Sequence, residues 1–237
     1  RRAVRHPCFR FMTENHAVYH LPQQPDWDSQ QTIVLIHPHG FFCTAGIVFA
    51  SCATFDRRRF VFFLDKMLFL SSPLGIQFLE RLLAMRVSYL SNKNVRKYMD
   101  QGFSCVLYAG GFKEIVGFDN TEELIYTGTY GYWFRIGREY GARVVTSLIY
   151  DGSVRYFSQS GVLKKERLKL ASAKIPILLP TAASFPSRDV PMYIRHIMWT
   201  REQVAHFDLE EVHHAIRQKV KEDRVYHTGR AHVFSNI

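Results

Sequence analysis

Two short stretches hold the residue types that can do chemistry. Residues 33–42 read IVLIHPHGFF, an apolar run that ends in His37, Pro38, His39 and Gly40. Pro38 fixes its own φ and biases His37 toward extended backbone, so both imidazoles sit on a stiff turn. In an extended segment, residues two apart point to the same side. An imidazole, with a reference pKa of about 6.5, suits a general base at neutral pH. Gly40 lets the backbone pass close to a ligand, and N–H groups beyond it could stabilise an oxyanion. The second stretch is AGGFKE at 109–114, again after an apolar run. Gly110 and Gly111 permit close backbone approach there. Glu114 is the acid available to orient His39, as a carboxylate does in a catalytic triad, or to bind a substrate hydroxyl.

Each stretch has a plainer alternative. The histidines could only cap a strand, and GGFKE could be a glycine turn with a solvent-facing glutamate. His-x-His also suits zinc or another divalent ion, which would make the chain a metal-dependent hydrolase. The further ligands such a site needs are poorly patterned: His206, His213 and His214 fall on or beside a polar helix, while Asp65 and Glu114 are isolated. No metal is therefore assigned.

The elements that must position these groups alternate between strand and helix. Thr32–Ile36 and Phe60–Leu64 read as buried strands, and Ala45–Thr54 as a helix whose N-terminus points back at HPHG. A helix begins at Pro73, with Ile76, Leu79, Leu82 and Leu83 on one face. Met85–Tyr89 is a short strand, and a polar helix then runs from a cap at Ser91 to a stop at Gly102. Phe103–Tyr108 is a strand, Thr129–Tyr140 a helix closed by Gly141, and Ala142–Tyr150 a strand. A last helix starts at Asp208. Residues 1–30 read as a polar, irregular N-terminal arm and 31–237 as one domain, with 151–190 less regular around a basic patch. This order predicts an α/β domain, a largely parallel sheet flanked by helices. Ligands collect at the carboxyl ends of such strands, so HPHG and AGGFKE should share one rim.

The formal charge of +10 implies attraction to something acidic: nucleic acid, anionic lipid or a polyphosphate. The chain has no helix-turn-helix, zinc-finger or RNA-motif pattern, so nucleic acid is not expected. Cys8, Cys43, Cys52 and Cys105 lack CxxC spacing and read as free thiols. No window reaches the roughly 18 uninterrupted apolar residues of a membrane span. Contact with a membrane is thus expected from the side or through an anchor outside these residues.

HPHG at 37–40 with Gly46, then SPLGIQFLERLLAMRVSYLSNKNV, LYAGGFKE and GYWFRIGREYGARVVTSLIYDG, occur in an order similar to a known family. The chain resembles the diacylglycerol and monoacylglycerol acyltransferases, the HPHG-containing acyl-CoA:acylglycerol group, as a distant member, best over residues 31–152. The resemblance implies a glycerolipid-acyltransferase-like fold. It also implies transfer of a fatty acyl group from acyl-CoA to a hydroxyl of a mono- or diacylglycerol or a long-chain alcohol. His39 would be the general base, His37 and Gly40 would shape its turn, and Gly110, Gly111 and Glu114 would form the second block. Acyl-CoA would be a co-substrate, with no permanently bound cofactor. The setting implied is the cytoplasmic face of a membrane, the endoplasmic reticulum or a lipid droplet.

The departures are specific. Ala109 stands where the family has proline, Thr127 and Thr129 where it has basic residues, and Thr146 where its strand has proline. Gly152-Ser153 replaces its Gly-Glu. Lys113, Arg135, Arg138 or Arg143 would then have to hold the donor phosphates. These changes leave a catalytically inactive, lipid-binding member of the fold as the alternative.

Overall fold

A computed structural model describes residues 18–21, 24–37, 49, 56–71, 73–117, 122–150, 158–159, 161–173, 180–182, 192–223 and 231–235. Along the chain lie β1 (Val18–Leu21), β2 (Thr32–His37), β3 (Phe60–Leu64), α1 (Lys66–Ser71), α2 (Pro73–Leu83), β4 (Arg86–Tyr89) and α3 (Asn92–Asp100). Then follow β5 (Ser104–Tyr108), α4 (Gly111–Gly117), β6 (Glu122–Tyr126), α5 (Tyr130–Tyr140), β7 (Arg143–Tyr150), β8 (Ser158–Gln159) and α6 (Lys164–Ser172). The described chain closes with β9 (Pro180–Ala182), β10 (Met192–Met198), α7 (Arg201–Ala205), α8 (Leu209–Glu222) and β11 (Ala231–Ser235).

The apolar runs TIVLIH, FVFFL and SCVLY lack polar alternation because the sheet is covered on both faces, and every residue in them is buried. Seven strands form the main sheet in the order β1-β10-β7-β2-β5-β3-β4. Every neighbouring pair is parallel except β10 with β7. The fold is therefore α/β with a largely parallel sheet, as the alternation predicts.

Strand residues divide between two cores by parity. Val34 and Ile36 join Phe60, Phe62 and Trp27, with Ile76 and Leu79 of α2 packed against them. Ile33 and Leu35 face the other way, among Val95 of α3, Trp133 and Phe134 of α5, and Val212 and Ile216 of α8. His37 continues the parity of Ile33 and Leu35, so its ring enters the second core. The α5–β7 junction is closed by Gly141 at φ 60°, a left-handed position that suits glycine.

Three expectations change. The N-terminal arm is not wholly irregular, because Val18–Leu21 pairs in parallel with β10 at the sheet edge and Trp27 is buried. β2 runs one residue further than expected and includes His37. The basic patch at 164–169 is a helix, with Arg167 buried and its Nε donating to Val162 O at 3.1 Å. The helix expected over Ala45–Thr54 lies outside the described residues, apart from a buried Phe49.

Candidate active site

β2 lies between β5 and β7, with Ile36 opposite Tyr108 and His37 opposite Leu148. The carboxyl end that leads into HPHG is therefore next to the one that leads into AGGFKE. The two stretches share a rim, as expected. Beyond Tyr108 the chain turns through Ala109 and Gly110, and α4 starts at Gly111 with φ +52°. One turn into α4, Glu114 swings back under the strand ends. Gly110 makes room for it: a Cβ there would sit 1.9 Å from Glu114 Cδ, so no side chain fits.

Glu114 and His37 are both fully buried. Glu114 Oε1 meets His37 Nδ1 and also accepts from the Tyr126 N–H at 2.9 Å. On the other side of the ring, Nε2 lies 2.9 Å from the Tyr130 hydroxyl. That hydroxyl is 3.0 Å from Thr146 Oγ1, which accepts from Trp199 Nε1 at 2.9 Å. The ends of this chain are one-sided, since an indole N–H only donates and a carboxylate only accepts. With a neutral imidazole at His37 the order is that Thr146 donates to Tyr130, Tyr130 donates to Nε2, and Nδ1–H donates to Glu114. Burial pushes the Tyr130 phenol well above its ordinary value, so it stays a donor.

The structure brings His37, Gly110, Gly111 and Glu114 together. His39 and Gly40 lie outside the described residues. Among the described residues, Glu114 meets the first histidine of HPHG, His37; the expected pairing with His39 lies outside the described residues. The alternative of a solvent-facing glutamate is overturned by its complete burial. Lys113 stays near the rim, with Nζ 4.3 Å from the centre of the Tyr126 ring. Arg135 and Arg138 are not gathered there. α5 starts at Tyr130 beside His37 and runs away from the rim, so Arg138 lies about 12 Å further along its axis. Arg138 Nη1 donates to Ala205 O at 3.1 Å, and Arg135 sits over the Tyr132 ring.

The family departures have internal partners. Thr129 Oγ1 donates to Ala109 O at 2.9 Å, so two of the altered positions touch each other. Thr127 Oγ1 meets His213 Nε2, and both residues are buried. Thr146 is the middle of the chain described above. Tyr130, Thr146 and Trp199 were not foreseen as site residues. A threonine inside the apolar run VVTSLI was the available signal, because a buried hydroxyl needs a partner.

Metal binding by a His37/His39 pair fits poorly. Both nitrogens of His37 are engaged, so a metal would have to displace Glu114 or Tyr130. Among the described residues no group of three His, Cys, Asp or Glu could hold an ion.

His213 gives the fold a pH dependence. Burial holds its pKa below the ordinary imidazole value, with Glu210 opposing and Arg217 adding to the shift. The unfolded chain therefore takes up this proton first. Stability from the site is complete above about pH 6.5 and is lost as pH falls from there through the folded value. The melting temperature should drop more between pH 7.5 and 5.5 in the wild type than in His213→Asn. Equal drops would remove His213 as the cause.

No family model matches the chain, and neither a curated protein nor a solved structure matches it.

Proposed function

We propose that the protein is an acyl-CoA-dependent O-acyltransferase acting on a hydroxyl of a mono- or diacylglycerol or a long-chain alcohol. The observation that carries this reading is the buried joint between Glu114 and His37, which ties HPHG and AGGFKE into one unit at the carboxyl rim. With both nitrogens engaged, His37 is a positioning residue: it anchors the start of the turn that carries His39. His39 is the proposed base. It takes the proton from the acceptor hydroxyl, whose oxygen attacks the thioester carbonyl. The tetrahedral intermediate collapses by expelling the CoA thiolate, which takes the proton from His39. The ester and the free thiol are the products, and no acyl-enzyme forms.

A lipid surface as partner is supported by α1 and α2, which leave the same rim after β3. Leu70, Leu74 and Phe78 are 58%, 79% and 54% exposed, and Lys66 and Arg81 flank them with positive charge. A protein rarely leaves such residues clustered without a use. No helix among the described residues is long and apolar enough to cross a membrane.

The second reading, a lipid-binding domain without turnover, is favoured by one observation. The family's basic positions are Thr127 and Thr129 here, and both are committed to internal contacts. A thiol-release assay separates the readings. Long-chain acyl-CoA and a mono- or diacylglycerol should give turnover, and His39→Ala should lower it about 10²–10⁴-fold. Turnover unaffected by His39→Ala would overturn His39 as base. Lipid binding without thiol release would select the second reading, and activity lost to a chelator and restored by zinc would select a metal hydrolase.

A further inference from the structure

The rim opposite His37 carries a recess that the proposed reaction does not use. It opens between the end of α5, the start of β7 and α7, with a volume of about 370 Å³. Arg138, Arg143 and Arg201 line it together with Met198, Trp199 and Gly137. A second recess of about 330 Å³ adjoins it, sharing Arg138, Val204 and Ala205 and adding Arg135 and His206. The two form one groove between α5 and α7.

The groove concentrates positive charge, opposed in part where Arg135 shares the field of Glu139 one turn along α5. Arg143 is committed to the chain below, donating to Asp26 O at 2.9 Å and Ser29 Oγ at 2.8 Å. Arg138 uses Nη1 on Ala205 O. Arg135 and Arg201 are exposed and make no ion pair among the described residues. No carboxylate among the described residues lines either recess. The carboxyl end of α5 puts a partial negative charge nearby, about half an elementary charge. Four guanidinium groups exceed it. Like charges that line one recess repel one another, and an anion between them lowers that cost.

Guanidinium forks match phosphate oxygens in pairs, and a recess of this volume falls in the small-molecule range. The rest of the wall is apolar. Met198 is 56% exposed, and the buried Trp199 also lines the recess. An exposed thioether suits a flat ring better than it suits water. From these features we infer that the groove binds a phosphorylated small molecule of the nucleotide class. Its phosphates lie between Arg138 and Arg201, and its ring lies on Met198. This inference does not depend on the proposed acyl transfer, because its residues are on the opposite rim from His37.

Calorimetric titration with adenosine diphosphate, CoA and inorganic pyrophosphate tests it. Adenosine diphosphate should bind to one site, and Arg201→Glu should weaken it at least tenfold at 0.1 M salt. Arg135→Glu, on the adjoining recess, should weaken it less. Arg201 and Arg135 are exposed, so both variants should fold, and melting curves will check that they do. CoA binding that is equally sensitive to Arg201→Glu would identify it as one ligand of the same groove. Pyrophosphate binding as tightly as the nucleotide would leave a plain anion site and overturn the nucleotide assignment. No binding to the wild type, or binding indifferent to Arg201→Glu, would overturn the site. Loss of thiol release with nucleotide binding intact would count against the acyltransferase reading alone.

Discussion

Glu114→Ala should cost about 3–5 kcal/mol of folding stability, because two buried donors lose their shared acceptor. The loss has two sources. The Tyr126 N–H loses its acceptor, and His37 Nδ1–H is left in a dry core with nothing to donate to. Each buried orphan donor costs about 1–3 kcal/mol. Glu114→Gln keeps an oxygen where Oε1 stands and should cost much less, about 1–2 kcal/mol. Urea unfolding measures both: the midpoint should shift with little change in slope if only stability has moved. The same two variants separate folding from function. Where Glu114→Gln folds, His37 still has its acceptor, so the turn stays in place and thiol release should persist at a reduced rate. Glu114→Ala and Glu114→Gln within about 0.5 kcal/mol of each other would show that the Glu114–His37 contact is not holding this rim together.

The parts of this arrangement that could be read from the sequence are those buried on both faces. TIVLIH, FVFFL and SCVLY have one interpretation only, because an apolar run of five or six residues bounded by turn residues leaves the chain no polar side to expose. Three such strands, with helices between them, are enough to put HPHG and AGGFKE on one rim. The pairing within the site was less accessible. Parity places His37 with Leu35 inside the second core. Finding His37 as a partner of Glu114 needed the position of α4, which depends on Gly110 lacking a Cβ. β10 was missed because Arg195 and His196 make MYIRHIM look polar, although each has a buried partner: Asp223 for one and Ser147 Oγ, at 3.0 Å, for the other. β1 was hidden by its neighbours, since four residues among prolines and glutamines give no usable period. Thr127 and Thr129 looked like lost cations. Their hydroxyl contacts to His213 and Ala109 explain why threonine suits those positions in this chain.

Asp223→Ala should have an effect as large as that of Glu114→Ala, in a different part of the same face. Asp223 follows α8 and is almost fully buried. Its Oδ2 accepts from the Tyr150 hydroxyl at 2.8 Å and from Arg195 Nε at 2.7 Å, while Oδ1 meets Arg195 Nη2. Tyr150 is the last residue of β7 and Arg195 the middle of β10, so one carboxylate ties α8 to the only antiparallel pair of the main sheet among the described residues. Burial first, and the Asp223 charge second, push the Tyr150 phenol far above its ordinary value, which keeps it protonated and donating. Removing the carboxylate takes the ion-pair partner from a guanidinium with little access to water and the Asp223 acceptor from the Tyr150 hydroxyl, at an expected cost of about 3–5 kcal/mol. Tyr150→Phe removes one donor and leaves the ion pair intact, so its cost should be about 1–2 kcal/mol. The two changes should not add. Once Asp223 is gone the phenol has already lost this bond, so Asp223→Ala with Tyr150→Phe should be less destabilised than the sum of the single variants by about 1 kcal/mol. Additive costs would mean that the hydroxyl and the carboxylate do not interact, and that Asp223 ties α8 to β10 through Arg195 but not to β7.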